Sequence, residues 1–333
     1  MSDVVMNQVP ARRSLPFAQE AFSALAIAGL GAIGYFLFPE DLAFLTRLIG
    51  IAFLVLSLCL VTGYCGIATL GHAALFGVAA YAVGIACIRG LTDPIALLGV
   101  GIVTGALMGL ISGALITRFR ALPQLVLSIA IGQLVAGLAN KLSWLTGGSD
   151  GLSGITPGKV FGIFSFDLYS RTAFLLSMSL LIIVFVLLQR LVNSPFGLMC
   201  RAIKDDDLRA KMIGVSIYPR LVLMYGIAGA VAGVGGALTA MSTGVVGLDS
   251  VSFERSAEVL VMLVLGGAGH LWGALAGAIV FLIFEHIVAA ANPFHWMTMV
   301  GLLLILIVVF APRGLIEPLL SQISRLRQPG SAA

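Results

Sequence analysis

Residues 172–241 decide the fold: TAFLLSMSLLIIVFVLLQRL (172–191), then SPFGLMCRAIKDDDLRAKMIGVSIYP (194–219), then RLVLMYGIAGAVAGVGGALTAM (220–241). The two outer stretches are apolar runs of about 20 residues, the length a helix needs to cross a bilayer. The stretch between them is a polar island holding Arg201, Lys204, Asp205, Asp206, Asp207, Arg209 and Lys211. Only 10% of the chain is charged and 59% is hydrophobic, and its mean hydropathy is +1.09. A soluble chain of 333 residues cannot hide that much apolar surface, so lipid is part of its solvent. A dense charged loop between spans predicts a docking surface for a soluble partner.

Working outward, apolar runs predict spans at 21–38, 44–62, 68–88, 94–116, 123–141, 172–191, 220–241, 257–268, 271–290 and 296–311. The eighth is short, which leaves nine to ten crossings. The expected fold is therefore an all-α polytopic bundle of about 9–10 transmembrane helices. Lys and Arg concentrate on the cytoplasmic side of membrane proteins. With the N-terminus inside, six of the 19 basic residues fall outside: Arg47, Arg89, Lys141, Lys159, Arg171 and Arg255. The other thirteen, including those of the island, fall inside. This predicts an inner-membrane protein with both termini cytoplasmic. Its tails are 1–20 and 312–333, its transmembrane domain 21–311, its periplasmic loop 142–171 and its cytoplasmic loop 192–219. The Arg12-Arg13 start and the run from Ala21 to Phe38 read as an uncleaved first helix, because Pro39-Glu40-Asp41 follows in place of a small-residue cleavage site.

The island carries helix signals. Ser194-Pro195 marks a start. Asp205, Asp206 and Asp207 suit a first turn, where negative charge meets the positive end of the helix dipole. Asp205 with Arg209, and Asp207 with Lys211, are spaced to pair along a helix. Gly214 is placed to end it. Two short helices are expected, 196–204 and 205–213. Three consecutive aspartates argue against a stretch that merely lies on anionic lipid.

Glycine organises the rest. Gly101, Gly105, Gly109 and Gly113 recur every fourth residue and form a groove where another backbone can approach, as do Gly229 with Gly233 and Gly273 with Gly277. Such seams serve either static packing or sliding during gating. In GYCGIATLGHAALFGVAAYAVGI (63–85), Gly63, Gly66 and Gly71 predict a tight turn or a partly unwound helix start, and His72 opens an apolar segment. A histidine there is either a capping or packing residue or a functional one. LGGAGHLWG (265–273), with Gly266 and Gly267, predicts a tight hairpin. In the loop Leu142–Ser170, TGGSDGLSGITPG predicts turns. Gly66, Gly71, His72, Gly266 and Gly267 are the candidate pathway or gating residues.

Several classes are disfavoured. The basic residues form no aromatic-interleaved stripe, so no nucleic-acid partner is expected. The four cysteines and four histidines show no ligand spacing, so no metal site is expected. No GxxxxGK[ST] loop or catalytic constellation is visible. An ion-coupled transporter acting alone needs intramembrane carboxylates, for which Glu258 and Glu285 are the nearest candidates.

These ordered patches, with VLVMLVLGGAGHLWGALAGA and PRGLIEPL near the C-terminus, resemble the LivM-type permease subunits of branched-chain amino-acid ABC importers. The resemblance implies a second homologous permease subunit, two cytoplasmic ATPase subunits that bind ATP and Mg, and a periplasmic substrate-binding protein, with no cofactor in this chain. It makes the island the ATPase-coupling loop, with Arg201, Lys204, Asp205, Asp207, Arg209, Ala210, Lys211 and Gly214 as its coupling residues. Asp207, Ala210 and Gly214 match that loop's acidic-Ala-Gly pattern, whereas Arg209 and Lys211 depart from it. Ile67 and Thr69 depart from the Gln and Ser common in the glycine-rich turn. Related permeases carry urea, amides and aromatic acids as well as leucine-like amino acids, so these remain alternatives for the substrate.

Overall fold

The computed structural model describes residues 16–159, 170–291, 298–299 and 301–302. Most of the expected tenth span, the C-terminal tail and most of the N-terminal tail lie outside the described residues. The described chain forms helices α1 (Pro16–Leu37), α2 (Leu42–Leu58), α3 (Ala73–Ile88), α4 (Pro94–Ile116), α5 (Leu122–Lys141), α6 (Ser143–Thr146) and α7 (Arg171–Asn193). These are followed by α8 (Pro195–Asp205), α9 (Asp207–Met212), α10 (Ile217–Thr243), α11 (Phe253–Gly266) and α12 (Leu271–Ala291). Among the described residues, 7 helices are long and apolar enough to cross a membrane. The chain is thus an all-α, multi-pass membrane protein.

Two helices form the centre. The α2 span is 83% buried and α10 is 78% buried, against 17% to 39% for the other five. The outer helices keep leucines, isoleucines and valines exposed, as lipid-facing surfaces do.

The antiparallel pair α4 and α10 meets along the predicted glycines. A Cβ on Gly105 would strike the Gly229 carbonyl, one on Gly233 the Gly101 carbonyl, and one on Gly113 the side chain of Tyr225. Backbones therefore lie directly on backbones. Gly266, Gly273 and Gly277 do the same between α11 and α12, and Gly267, at φ +100, makes the turn there.

The expected third span is corrected, and the eighth is short, as its apolar run is. The third, 68–88, is helical only from Ala73, and the eighth is a helix of 14 residues. At 1.5 Å per residue these reach about 24 Å and 21 Å, short of a hydrocarbon core of about 30 Å. Before α3 the chain is irregular. Following α2 it widens into a π-helix, Cys59–Tyr64. It turns at Gly66, φ +70, and doubles back beside α2, with the Ile67 amide donating to the Val61 carbonyl at 3.1 Å.

A short antiparallel ribbon, β1 (Leu152–Ser153) on β2 (Val245–Val246), ties the long α5–α7 loop to the end of α10. Gly147, Gly148, Gly151 and Gly154 take positive φ there, the turn-rich conformation expected of that glycine cluster.

Candidate functional site

The polar island forms two short helices, α8 and α9. The Ser194 hydroxyl accepts from the Gly197 amide at 3.3 Å, with Pro195 in the first turn. Asp206, rather than Asp205, caps α9 and accepts from the Arg209 amide at 3.1 Å. Asp205 ends α8. The cap takes extended dihedrals, and this breaks the expected Asp205–Arg209 register. Arg209 instead pairs with Asp206 at 2.9 Å, and Asp207 pairs with Arg120 of the α4–α5 turn at 3.5 Å. Gly214, φ +82, ends α9. The Gly214 amide donates to the Lys211 carbonyl at 2.9 Å and the Val215 amide to the Ala210 carbonyl at 3.0 Å, a Schellman closure.

This pair of helices has two faces. The inner face buries Cys200, Ile203 and Ala210. From the same face Lys204 Nζ donates to the Gly63 carbonyl at 2.7 Å, inside the π-helix that ends α2. The Arg201 guanidinium lies 4.8 Å from the centre of the Tyr64 ring. The outer face is apolar: Leu208, Met212 and Ile213 are 64%, 83% and 77% exposed. Charge drew attention to the island in the sequence, yet beside the exposed Arg209 it presents this apolar ridge. The i, i+4 spacing of Leu208 and Met212 is its signal.

Beyond Gly63 the chain leads into a buried polar cluster. His72 Nε2 lies 2.9 Å from Ser57 Oγ. Ser57 sits about 10 Å along the helix axis from Tyr64, at 1.5 Å per residue. Its hydroxyl donates to the Leu54 carbonyl, so Nε2–H donates to Ser57 and Nδ1 is left as an acceptor. Among the described residues that Nδ1 is buried without a partner, an orphaned polar atom that a closed hydrophobic core would not retain for stability alone.

The irregular segment and the first residue of α3 give free amides to side chains. Leu70 N–H reaches Ser128 Oγ of α5 and Ala73 N–H reaches Ser256 Oγ of α11, both at 3.1 Å. The Tyr225 hydroxyl of α10 donates to Thr69 Oγ1 at 3.1 Å. Ser57, Ser128, Tyr225 and Ser256, from four helices, thus converge on residues 69–73. Sequence alone pointed to His72 and Gly71 here but to none of their four partners, since single hydroxyls in apolar helices carry no spacing signal.

The other candidates fall elsewhere. Gly71 packs against the backbone of α5 at Ser128 and Gly132. Gly66 lies under the Lys204 side chain, at the α8 end of the bundle. Gly266 and Gly267 belong to the α11–α12 turn, whose Ala268 carbonyl faces Gly63. The carboxylates Glu258 and Glu285 lie toward the opposite end, paired with Arg255 at 2.9 Å and Arg47 at 4.0 Å.

Fold and site together define a polytopic helical membrane protein in which a surface helix pair is anchored to a broken central helix. The chain belongs to the family described as branched-chain amino acid transport system / permease component, which matches residues 42–310. Among its relatives is the high-affinity branched-chain amino acid transport system permease protein LivM of Escherichia coli (strain K12). It is 28% identical over 300 residues, covering 83% of this chain and 69% of that protein. LivM of Salmonella typhimurium is 28% identical over 283 residues, 78% of this chain and 66% of that protein. LivH of E. coli (strain K12), a permease protein of the same kind of system, is 29% identical over 124 residues, 37% of this chain and 40% of that one. The chain thus spans about two thirds of the LivM proteins it matches. No solved structure matches.

Proposed function

We propose that this chain is the permease subunit of an ATP-driven importer of branched-chain, leucine-like amino acids, working by alternating access. In this reading the α8–α9 end faces the cytoplasm and the ridge Leu208–Met212–Ile213 docks in a groove of a partner ATPase. A second homologous permease, two ATPases holding ATP and Mg, and a periplasmic binding protein complete the assembly. The observation that carries the reading is the Lys204–Gly63 hydrogen bond. A push on α8 reaches its flanking helices α7 and α10, and through Lys204 it also reaches the π-helical end of α2. From there the covalent chain passes through the turn at Gly66 to Thr69 and His72. The buried cluster around His72 is the inner constriction of the pathway, and small movements of residues 66–72 open it.

The chain is tested in proteoliposomes with its ATPases and binding protein, following labelled leucine uptake and phosphate release together. Met212→Asp with Ile213→Asp is expected to abolish ATPase binding. Lys204→Met is expected to leave hydrolysis running while uptake falls by about tenfold, the factor that a weakening of about 1.4 kcal/mol produces. Normal leucine uptake in both variants would overturn the coupling assignment. Uptake by the chain alone under a proton or sodium gradient, without ATP, would overturn the class.

A further inference from the structure

Two cavities share one short turn at the α8–α9 end of the bundle. The turn, residues 117–121, joins α4 to α5, and its Ala121 is one of two non-glycine residues with positive φ (57°) among the described residues. A polar cavity of about 630 Å³ is lined by Thr117, Arg118, Arg120, Asp207, Lys211 and Tyr218, among others. An apolar cavity of about 510 Å³ is lined by Phe119, Leu122, Pro123, Val126, Leu127 and Ala130. Alternate residues of the turn serve the two: Arg118 and Arg120 line the first, and Phe119 between them lines the second.

The polar cavity carries three cations against one carboxylate. Asp207 holds Arg120 at 3.5 Å, but both side chains are more than a third exposed, so the pair is weak and easily exchanged. Among the described residues, Arg118 and Lys211 have no ion-pair partner within 4 Å. The apolar cavity lies against α5, a helix that is only 22% buried. Leu122 and Val126 on it are 75% and 62% exposed, one turn apart on the same face.

A soluble anion would fill only the first cavity. An acidic segment of a protein partner would have no reason to continue onto the lipid-facing side of a spanning helix. A ligand with an anionic head and an apolar tail fills both, at the depth where such a boundary occurs in a bilayer.

We propose that this corner binds one anionic phospholipid, with its phosphate among Arg118, Arg120 and Lys211 and an acyl chain along Leu122–Ala130. Binding needs no assumption about transport. Phosphate and Asp207 compete for Arg120, so an occupied site releases α9 from the α4–α5 turn. The ridge residues Leu208 and Met212 occupy a different stripe of α9 from Asp207 and Lys211 and remain uncovered.

The test is native mass spectrometry on the full chain, purified in detergent and stripped of lipid. The probes are phosphatidylglycerol, phosphatidylcholine and inorganic phosphate, each added separately, with phosphate then also added to the phosphatidylglycerol-loaded chain. Retention of phosphatidylglycerol over the other two is expected. Arg118→Gln and Lys211→Gln should each weaken it about fivefold, the effect of one cation at a lipid surface. Arg118→Lys should retain it, and Asp207→Asn should strengthen it by freeing Arg120. The last two outcomes are not produced by misfolding. Equal retention of phosphatidylcholine, or an unchanged profile in the double Gln variant, would overturn the proposal. So would inorganic phosphate displacing the lipid at equal concentration, which would indicate an anion site without a lipid role. If ATPase added to the lipid-loaded chain expelled phosphatidylglycerol and covered Arg118, the surface would belong to a protein partner and the proposal would fail.

Discussion

The α4–α10 seam and the break between α2 and α3 both depend on glycine, and they use it in opposite ways. Along the seam the glycines sit inside unbroken helices, every turn keeps its own backbone hydrogen bonds, and Gly101, Gly105, Gly229 and Gly233 let two backbones touch. At these glycines backbone lies against backbone, with no side chain between. At the break, Gly66 turns the chain and residues 66–72 give up helical bonds. Around it the Leu70 and Ala73 amides and the Gly63 carbonyl are satisfied one at a time by Ser128, Ser256 and Lys204. Each such bond is worth about 0.5–1.5 kcal/mol net, so the break can be rearranged by forces that would leave the seam intact. Tyr225 joins the two regions: its backbone packs on Gly109 and its hydroxyl holds Thr69.

The largest effect is expected from attacking the seam. Gly105→Leu drives a side chain into the α10 backbone. Overpacking of this kind costs about 1–3 kcal/mol or more, and here backbone cannot yield, so the yield of folded protein in detergent should collapse. A normal melting temperature would show that the seam is looser than its geometry.

The break should respond in function more than in fold. Lys204→Met leaves the Gly63 carbonyl without its cation, at a cost of about 1–3 kcal/mol. The protein should still purify as a folded species, with transport falling more than stability. His72→Ala removes the bond to Ser57 and should change substrate flux while the seam keeps its melting behaviour. A melting curve as damaged as that of Gly105→Leu would mean that the cluster is structural and that the two regions do not differ as argued.

Smaller effects sharpen the comparison. Among the described residues a Cβ at Gly214 would meet nothing within 4 Å, so its left-handed backbone is what matters. Gly214→Ala should cost about 1–2 kcal/mol, read as a small fall in melting temperature, while Gly214→Asn should cost less. Gly137, on the exposed side of α5, also has open space and no positive φ. Gly137→Ala should leave stability unchanged or raise it by up to about 1 kcal/mol. This control separates glycines that pack from glycines that merely occur.

Much of this was legible from sequence because membrane helices obey simple rules. Nine expected spans fall on described helices, and α4 begins and ends where its apolar run does. Helix starts at Ser194-Pro195 and the stop at Gly214 follow from caps that need only local chain. The four-residue glycine spacing foretold a seam along α4, though not that its partner would be α10. The turn near Gly63–Gly71 was also legible, but its depth was not. Arg201 and Lys204 illustrate the limit, because a charge count cannot distinguish a lysine facing solvent from one bonded to Gly63 from 141 residues away in the chain.

The sequence by itself determined that this is a multi-helix membrane protein with a capped pair of surface helices, because hydropathy, capping and glycine spacing act over one or two turns. Only the tertiary structure decided that α8 reaches the π-helical end of α2, that residues 66–71 are not helical, and that His72 meets Ser57 in the interior. Those facts depend on single polar side chains meeting across helices. In a bilayer the unpaired backbone left by a broken helix must find such partners, and where they lie along the chain is set by packing.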